Sequence, residues 1–296
     1  MDLCQPSVIR MLMEEAGIKF RKDFGQNFLV NPQIPERIAD SCADRRDCTV
    51  LEIGPGIGCL TKQLAMRYEK VIAVEIDRGL LPILSKTLAD YQNVKVINAD
   101  VMELDLRALV EEEAGGRDVV VCANLPYYIT TPILMRLLEC GVHFSSITVM
   151  VQAEVAKRLS ASAGDGDYGA ITAVLGYYGT VRRLFTVPAG CFMPAPKVNS
   201  AVVRIDLFDE CPYSMKDSAL FFGLVKAAFG QRRKTLVNAI TAAYAHFSKE
   251  DIAFALTKLG FSESIRGERL STADFAALSD CLYDFFQDKT DNFEKI

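Results

Sequence analysis

Three glycines alternate with other residues in the sequence EIGPGIG, and two carboxylates follow at the ends of later apolar segments. The glycines are Gly54, Gly56 and Gly58, and Glu75 comes 21 residues after the first of them. Glycine lets the backbone turn tightly and lets a ligand approach without a Cβ in the way. A carboxylate at this spacing suits hydrogen bonds to ribose hydroxyls. Together with Asp100, which ends a third apolar segment, these residues predict a site for a nucleotide-like cofactor.

The spacing of the glycines also discriminates between cofactor classes. It is G-x-G-x-G, and Cys59 occupies a position at which the dinucleotide fingerprint is strict. The pattern therefore favours S-adenosylmethionine, which has no pyrophosphate to cradle, over a nicotinamide dinucleotide. In such a site we expect Asp100 to accept the exocyclic N–H of the adenine. A nicotinamide oxidoreductase stays as an alternative that cofactor-induced thermal shifts would expose.

The sequence NLPY ends another apolar segment and combines an amide, a stiff kink and an aromatic face. The exocyclic amine of a nucleobase is a poor nucleophile because its lone pair is delocalised into the ring. Asn124 Oδ1 and the Leu125 carbonyl, aimed by Pro126, can accept its two N–H groups and favour a pyramidal nitrogen. Tyr127 can stack on the face of the base. Each residue alone is typical of a turn or a core, but the combination predicts methyl transfer to a base amine; Tyr128 is assigned to the core.

Four short segments rich in Val and Ile recur with helical stretches between them, which indicates strands buried on both faces. These segments are residues 48–54, 70–77, 94–100 and 118–124. Strand and helix alternate at crossover spacing, so the sequence predicts an α/β fold with a doubly wound, mostly parallel sheet of the Rossmann-like kind. Ligands bind at the carboxyl ends of such strands, so we expect the glycines, the carboxylates and Asn124 to face one crevice.

The strand pattern continues to about residue 208 and then stops. Further strands are predicted at residues 146–152, 180–188 and 199–208, the last two as an antiparallel pair that closes the sheet. The rest of the chain is helical in pattern, with S-x-x-D capping signatures that begin at Ser248 and Ser271. We therefore predict a catalytic, cofactor-binding domain over residues 1–206 and a small helical domain that binds RNA or the ribosome over residues 207–296.

Composition excludes several classes of protein. Among 296 residues there is no apolar run near the roughly 18 residues of a membrane span, so no membrane partner is expected. The N-terminus lacks the pattern of a signal peptide, which favours a cytoplasmic location. Nine scattered cysteines without a C-x-x-C pair, and only two histidines, predict free thiols and no metal site. The scarcity of histidine also argues against a hydrolase that uses a Ser-His-Asp or Cys-His arrangement.

The distribution of charge matters more than its sum. The net charge of −5 alone argues against a nucleic-acid binder. Residues 168–205 and 219–249 nevertheless contain no acidic residue. The basic residues in these two stretches are Arg182, Arg183, Lys197, Arg204, Lys226, Arg232, Arg233, Lys234 and Lys249. This segregation is compatible with a basic face that attracts phosphates, although ordinary solvated faces give the same pattern.

Seven motifs appear in the order of a known family. They are FGQNFL, LEIGPGIGCLT, VEID, NADV, NLPYYITTPI, FMPAPKVNSAVV and AFGQRRKTLVNAI. From about residue 18 to about residue 272 the chain resembles the ribosomal RNA adenine dimethyltransferases of the small subunit. The resemblance implies that S-adenosylmethionine is the methyl donor and that two adjacent adenosines near the 3′ end of small-subunit RNA become N6,N6-dimethyladenosine. The implied partner is that RNA within the immature subunit, and we expect a monomer.

The resemblance also implies roles for individual residues. The implied cofactor contacts are Asn27, Leu29, Gly54, Gly56, Glu75, Asp100 and Asn124. Phe192 is a candidate second wall for the target adenine, or alternatively a hydrophobic contact in a proline-rich loop. Arg232, Arg233 and Lys234 are implied to lie near the RNA, in agreement with the acid-free stretch around them. The first 17 residues and the acidic tail after residue 272 have no counterpart among the motifs.

Two other functions fit parts of the pattern. A related methyltransferase modifies one adenosine of the large subunit and confers macrolide resistance, but the sequence AFGQRRKTLVN favours the small-subunit branch. A mainly non-catalytic assembly factor for the small subunit would use the same basic residues. Asn124→Ala separates that alternative from an enzyme, because an assembly factor keeps ribosome binding when methyl transfer is lost.

Overall fold

The computed structural model of the protein describes residues 1–18 and 26–293. Phe24 and Gly25 of the FGQNFL motif lie outside the described residues. The strands are β1 (Phe28–Leu29), β2 (Thr49–Ile53), β3 (Lys70–Glu75), β4 (Val94–Asn98), β5 (Val119–Asn124), β6 (Ser146–Gln152), β7 (Gly179–Val187), β8 (Phe192–Met193) and β9 (Ser200–Leu207). The α-helices are α1 (Pro6–Glu15), α2 (Gln33–Asp40), α3 (Cys59–Ala65), α4 (Leu81–Thr87), α5 (Leu106–Glu113), α6 (Thr130–Glu139), α7 (Ala153–Leu159), α8 (Ala170–Tyr178), α9 (Ser218–Gly230), α10 (Leu236–Ala243), α11 (Lys249–Lys258) and α12 (Thr272–Phe293).

The central sheet has the order β4-β3-β2-β5-β6-β9-β7. The pairs from β4 to β6 are all parallel, and β9 runs antiparallel to β6. The predicted α/β fold with a mostly parallel sheet is therefore confirmed. In this register Ile53 of β2 lies opposite both Val74 of β3 and Ala123 of β5. The residues that follow these three strands consequently emerge at one edge of the sheet.

The three strands that carry the predicted site are held by burial on both faces. All five residues of β2 are buried, as are the first five residues of β5. Val50, Val71 and Val120 pack in one cluster with side chains of α2 and α3. Burying one such side chain contributes about 1.5 to 3 kcal/mol, so the strands form a rigid platform for the loops at their ends.

The chain forms two compact units. One comprises residues 1–156 and 180–209, and the other comprises residues 157–179 and 210–296. The division predicted between residues 206 and 207 differs from this one chiefly in residues 157–179. Tyr168 belongs to the same core cluster as Phe221 of α9, which explains why this segment packs with the helices that follow the sheet. No α-helix in the described ranges is both long enough and apolar enough to cross a membrane.

The helical unit begins two of its helices at the predicted caps. Ser248 Oγ accepts the Asp251 backbone N–H at 3.1 Å, and Asp251 Oδ2 accepts the Ser248 N–H at 2.9 Å. Ser271 and Asp274 repeat the exchange at 3.2 and 2.8 Å. Both reciprocal capping signatures are confirmed, and each satisfies backbone donors that the helix itself leaves free.

Candidate active site

The loop after β2 owes its shape to glycine. Gly54, Gly56 and Gly58 have φ angles of 70°, 62° and 88°, in the left-handed region that glycine adopts without strain. A Cβ on Gly56 would also lie 3.2 Å from the ring of Phe28. The loop therefore depends on glycine both for its conformation and for the close approach of the N-terminal segment.

Glu75, the last residue of β3, connects this loop to the one that follows its own strand. Its Oε2 accepts the Gly56 N–H at 3.1 Å, and its Oε1 accepts the Asp77 N–H at 2.8 Å. The side chain is 4% exposed. Burial raises the pKa of Glu75, while the two backbone donors oppose that rise. Each oxygen keeps lone-pair capacity for a further donor, such as a ribose hydroxyl.

Asn124 stands at the end of β5, on the other side of the glycine loop. It is half-buried, and its Nδ2 lies 3.5 Å from the carbonyl oxygen of Asn27. Within the described residues no hydrogen-bond donor reaches its Oδ1. Leu125 is buried and its N–H donates to the Met150 carbonyl at 3.2 Å. The amide of Asn124 is therefore oriented by the N-terminal segment and has an acceptor atom available.

The two tyrosines after Pro126 have opposite environments. Tyr127 is half-buried, and its hydroxyl lies 2.6 Å from Ser200 Oγ. Burial raises the pKa of Tyr127, and its hydrogen bond with Ser200 opposes that rise. Tyr128 is 64% exposed, so its assignment to the core was wrong. The Ile129 N–H donates to the Pro126 carbonyl, which puts Tyr128 in the middle of a turn at the surface.

A cavity lies where these elements meet. Its lining, in chain order, is Gln26, Asn27, Phe28, Leu29, Glu52, Gly54, Pro55, Gly56, Ile57, Cys59, Leu60, Glu75, Ile76, Leu80, Asn124, Pro126 and Tyr128. Seven predicted site residues are thus brought together, from the N-terminal segment and from the ends of β2, β3 and β5. The lining contains two carboxylates and, within the described residues, no Lys, Arg or His side chain.

Four predicted residues lie near the cavity without lining it in the described structure. They are Asp100, Leu125, Tyr127 and Phe192. Asp100 Oδ1 accepts the Met102 N–H at 2.8 Å in the turn after β4, next to the strand that carries Glu75. Phe192 is buried and pairs with Leu29 through β8 and β1. Phe192 therefore supports β1, the strand that carries Leu29, without lining the cavity itself.

Sequence reasoning missed Glu52, the fourth residue of β2. It is 1% exposed, and its Oε2 has no hydrogen-bond partner among the described residues. Burial raises the pKa of Glu52 to about 8, and the nearby Glu75 adds to the rise. An acid inside an apolar strand, immediately before a glycine loop, was the available signal, because buried acids cluster at functional sites.

The basic residues divide into structural and exposed ones. Arg232 Nη2 donates to the Tyr168 carbonyl at 3.2 Å and lies 3.8 Å from Glu268 Oε2, so it holds the helical unit together. Arg232, Arg233 and Lys234 are all exposed, and of these three side chains only that of Arg232 has a hydrogen bond or ion pair within the described residues. Arg204, counted above with the basic stretch, is buried between Asp44 and Asp206. That arginine is consequently not available to a phosphate, and Arg182 is likewise paired with Asp206.

Comparison with known proteins assigns the chain to a family. Residues 17–280 match the family model described as ribosomal RNA adenine dimethylase. The chain is 44% identical over 277 residues to the ribosomal RNA small subunit methyltransferase A of Alkaliphilus metalliredigens (strain QYMF), covering 94% of this chain and 96% of that protein.

Two solved structures are similar over most of their length. A dimethyladenosine transferase from Plasmodium falciparum has a TM-score of 0.73 and 26% identity, with 88% of this chain and 97% of that one covered. The 23S rRNA methyltransferase ErmE has a TM-score of 0.67 and 25% identity, with 87% and 100% covered. The match of the family model and the identity to the curated relative carry the same conclusion: the chain belongs to the ribosomal RNA adenine dimethylase family.

Proposed function

We propose that this protein transfers methyl groups from S-adenosylmethionine to N6 of two adjacent adenosines in the 3′-terminal hairpin loop of small-subunit ribosomal RNA. Each adenosine becomes N6,N6-dimethyladenosine. The observation that carries the proposal is the position of Asn124 in one cavity with Glu75 and the glycine loop. The relative that is 44% identical over 96% of its length, named for the small subunit, supports that choice of RNA.

The lining of the cavity suits the cofactor. Two carboxylates, Glu52 and Glu75, line it, and no cationic side chain does within the described residues. A pyrophosphate would find no cation to pair with there, whereas the carboxyl groups can accept hydrogen bonds from hydroxyl and ammonium groups of the cofactor. Glu75 would hold the ribose hydroxyls. The glycine loop would let the cofactor approach its backbone closely, and Asn27 and Leu29 would cover the site. Asp100, beside this strand end, would accept from the adenine amino group. S-adenosylmethionine supplies the electrophilic methyl group when bound.

The chain acts on the acceptor by holding it. Asn124 Oδ1 and the Leu125 carbonyl accept the two N–H groups of adenine N6, and Pro126 fixes the direction of that carbonyl. Tyr127 stacks on the base, its ring held by the hydrogen bond to Ser200, and Phe192 supports the opposite wall through β1. Positioning of the two reactants accounts for much of the rate, because alignment alone removes several kcal/mol of barrier. No strong base is needed, since the methylated nitrogen readily loses its proton.

The RNA is held in part by the helical unit. Arg233 and Lys234 are exposed and lie in a stretch of 31 residues, 219–249, without an acid. They suit phosphate contacts, and so does the exposed Arg232 beside them, which also donates to the Tyr168 carbonyl. The substrate we propose is the immature small subunit, and the protein acts as a monomer in the cytoplasm.

Transfer of labelled methyl groups to separated ribosomal subunits tests the proposal. Subunits from cells that lack this modification are incubated with the protein and labelled S-adenosylmethionine. We expect label in small-subunit RNA alone, and its loss with Asn124→Ala. Label in the large subunit would instead support the activity named for ErmE, and no label in either RNA would refute the proposal.

A further inference from the structure

Two cysteines far apart in sequence meet beside the cavity. Cys4 precedes α1 and Cys59 is the first residue of α3, directly after the glycine loop. Their sulfur atoms are 2.9 Å apart although both thiols are free. A disulfide bond is about 2.05 Å long, so less than about 1 Å of movement separates the pair from a covalent bond.

The N-terminal segment is held in place by several contacts. The Met1 carbonyl accepts Lys62 Nζ at 3.0 Å, and Asp2 Oδ1 accepts the Cys4 N–H at 2.9 Å. Leu3 and three residues of α1 pack with Phe28 and Ile57 in one apolar cluster, with Cys59 against it. These contacts hold the two sulfur atoms close together in the folded protein. The first 17 residues, which no sequence motif explained, here acquire a definite position.

We propose that Cys4 and Cys59 are a peroxide-sensitive pair whose disulfide ties the N-terminal segment to the start of α3 at the rim of the cavity. This inference goes beyond methyl transfer. The oxidant is hydrogen peroxide, a small molecule that can reach the pair through the cavity, because Cys59 lines it and the Cys4 sulfur lies 2.9 Å from the Cys59 sulfur.

The reaction balances with two thiols and one peroxide. The Cys4 thiolate attacks one peroxide oxygen, so an S–O bond forms, the O–O bond breaks and hydroxide leaves to take up a proton as water. Cys59 then attacks the sulfur of the Cys4 sulfenic acid: the S–S bond forms, the S–O bond breaks, and a second water leaves with the Cys59 proton. The two sulfurs lose two electrons, and the peroxide gains them.

The surroundings assign the roles of the two sulfurs. The hydrogen bond between the two sulfurs lowers the pKa of Cys4, with Lys62 assisting, and the same bond raises the pKa of Cys59. Because the thiolate is the nucleophile, Cys4 is the attacking group. Cys42 and Cys122 form an internal comparison: they also neighbour each other, but both are fully buried in the core of the sheet.

Peptide mapping after graded treatment with hydrogen peroxide tests the pair. The reduced full-length protein is oxidised, remaining thiols are alkylated, and cross-linked peptides are identified by mass. We expect a peptide joining Cys4 to Cys59 to form at least tenfold faster than Cys42 or Cys122 loses its thiol, and dithiothreitol to reverse it. The oxidised protein should melt several degrees higher, because a cross-link across 55 residues restricts the unfolded chain.

Variants separate this pair from general oxidation. Cys4→Ser should abolish the cross-linked peptide, with Cys4→Ala as a second variant if the buried serine impairs folding. Cys211→Ser, at an exposed cysteine of the helical unit, should leave it unchanged. The inference is overturned if the Cys4–Cys59 peptide does not form while other cysteines oxidise, or if a Cys42–Cys122 peptide forms first.

A last comparison uses saturating S-adenosylhomocysteine as the probe. It rests on the proposed cofactor site, because a ligand in the cavity covers Cys59 and should slow formation of the cross-link at least fivefold. Unchanged cross-linking would contradict the position proposed for the cofactor and leave the cysteine pair supported. The experiment therefore distinguishes failure of the proposed cofactor site from failure of the proposed cysteine pair.

Discussion

The two sides of the cavity differ in how completely the chain itself builds them. On the cofactor side, Glu75 is buried and both of its oxygens accept backbone N–H groups within about 3 Å. On the acceptor side, the Asn124 side chain makes a single hydrogen bond within the described residues, at 3.5 Å, and Tyr128 is largely exposed. The fold thus holds the Glu75 side more firmly than the Asn124 side, which fits our proposal that an entering nucleotide completes the acceptor side.

The largest effect should come from Asn124→Ala. It removes one of the two acceptors that we propose for adenine N6, so we expect methyl transfer to fall by about 100- to 1,000-fold, the range for loss of one positioned polar group in a catalytic site. The dissociation constant of S-adenosylmethionine, measured by calorimetry, should change much less. Asn238→Ala, at an exposed asparagine of α10, serves as the matched control. If Asn124→Ala weakened cofactor binding as much as methyl transfer, the proposed division into a cofactor side and an acceptor side would be wrong.

Glu75→Gln should have the opposite pattern. A glutamine can accept from only one of the two backbone donors, at Gly56 and Asp77, and its amide group then faces the other. The proposed hydrogen bond from the ribose to the charged carboxylate is worth about 1.5 to 3 kcal/mol, so we expect cofactor binding to weaken roughly 10- to 100-fold. Titration calorimetry gives the dissociation constant. If binding stays normal while the turnover at saturating cofactor falls, Glu75 belongs to the acceptor side instead.

The buried Glu52 should make the stability of the ligand-free protein depend on pH. Its folded pKa of about 8 lies above its usual value of 4.5, so the folded state holds the proton more tightly. The contribution of Glu52 to stability is complete below pH 4.5 and is lost as pH rises toward 8. Between pH 6 and pH 7.5 we expect wild type to lose about 2 kcal/mol relative to Glu52→Gln.

Denaturant unfolding at several pH values measures this difference. Glu36→Gln, at an exposed acid of α2, should follow wild type. Parallel curves for wild type and Glu52→Gln would mean that Glu52 is ionised in the folded protein throughout this range. The cofactor side would then carry a full second negative charge before any ligand binds.

Tyr127 should give the smallest effect, and one that depends on its ring. Tyr127→Ala removes the proposed stacking surface, so kcat/KM for the RNA should fall about tenfold, since stacking on one base contributes about 1 to 3 kcal/mol. Tyr127→Phe keeps the ring and loses only the bond to Ser200, so a change below about threefold is expected. Steady-state kinetics with each variant provide the test. If Phe and Ala are equally impaired, the hydroxyl rather than the ring is the important group.

The cofactor side was predictable from sequence because local patterns determine it. Valine-rich segments defined β2, β3 and β5, and their parallel register brings Glu75 and Asn124 to one edge with the glycine loop. Gly56 has a left-handed φ angle, and the presence of glycine in the sequence is itself a sign that the backbone can turn this way. The burial of Glu52 could not be predicted from a local pattern, because it results from packing on both faces of the sheet.

The remaining differences come from contacts distant in sequence. Arg204 lies in a stretch without acids, yet it pairs with Asp44, 160 positions away, and a window along the sequence cannot contain that partner. Tyr128 follows an aromatic neighbour in an apolar context, and only the turn at Pro126 reveals that its side chain faces outward. Residues 157–179 show no strand or domain signal, and they join the helical unit through the core that includes Phe221.

The most direct test of the proposed activity is mass spectrometry of nucleosides from methylated RNA, with the subunit of origin recorded. Immature small subunits, the protein and S-adenosylmethionine are incubated to completion, and the RNA is digested to nucleosides. We expect two N6,N6-dimethyladenosines per small subunit and none in the large subunit. Methylation of any other amine, or N6-dimethyladenosine found only in large-subunit RNA, would contradict the account.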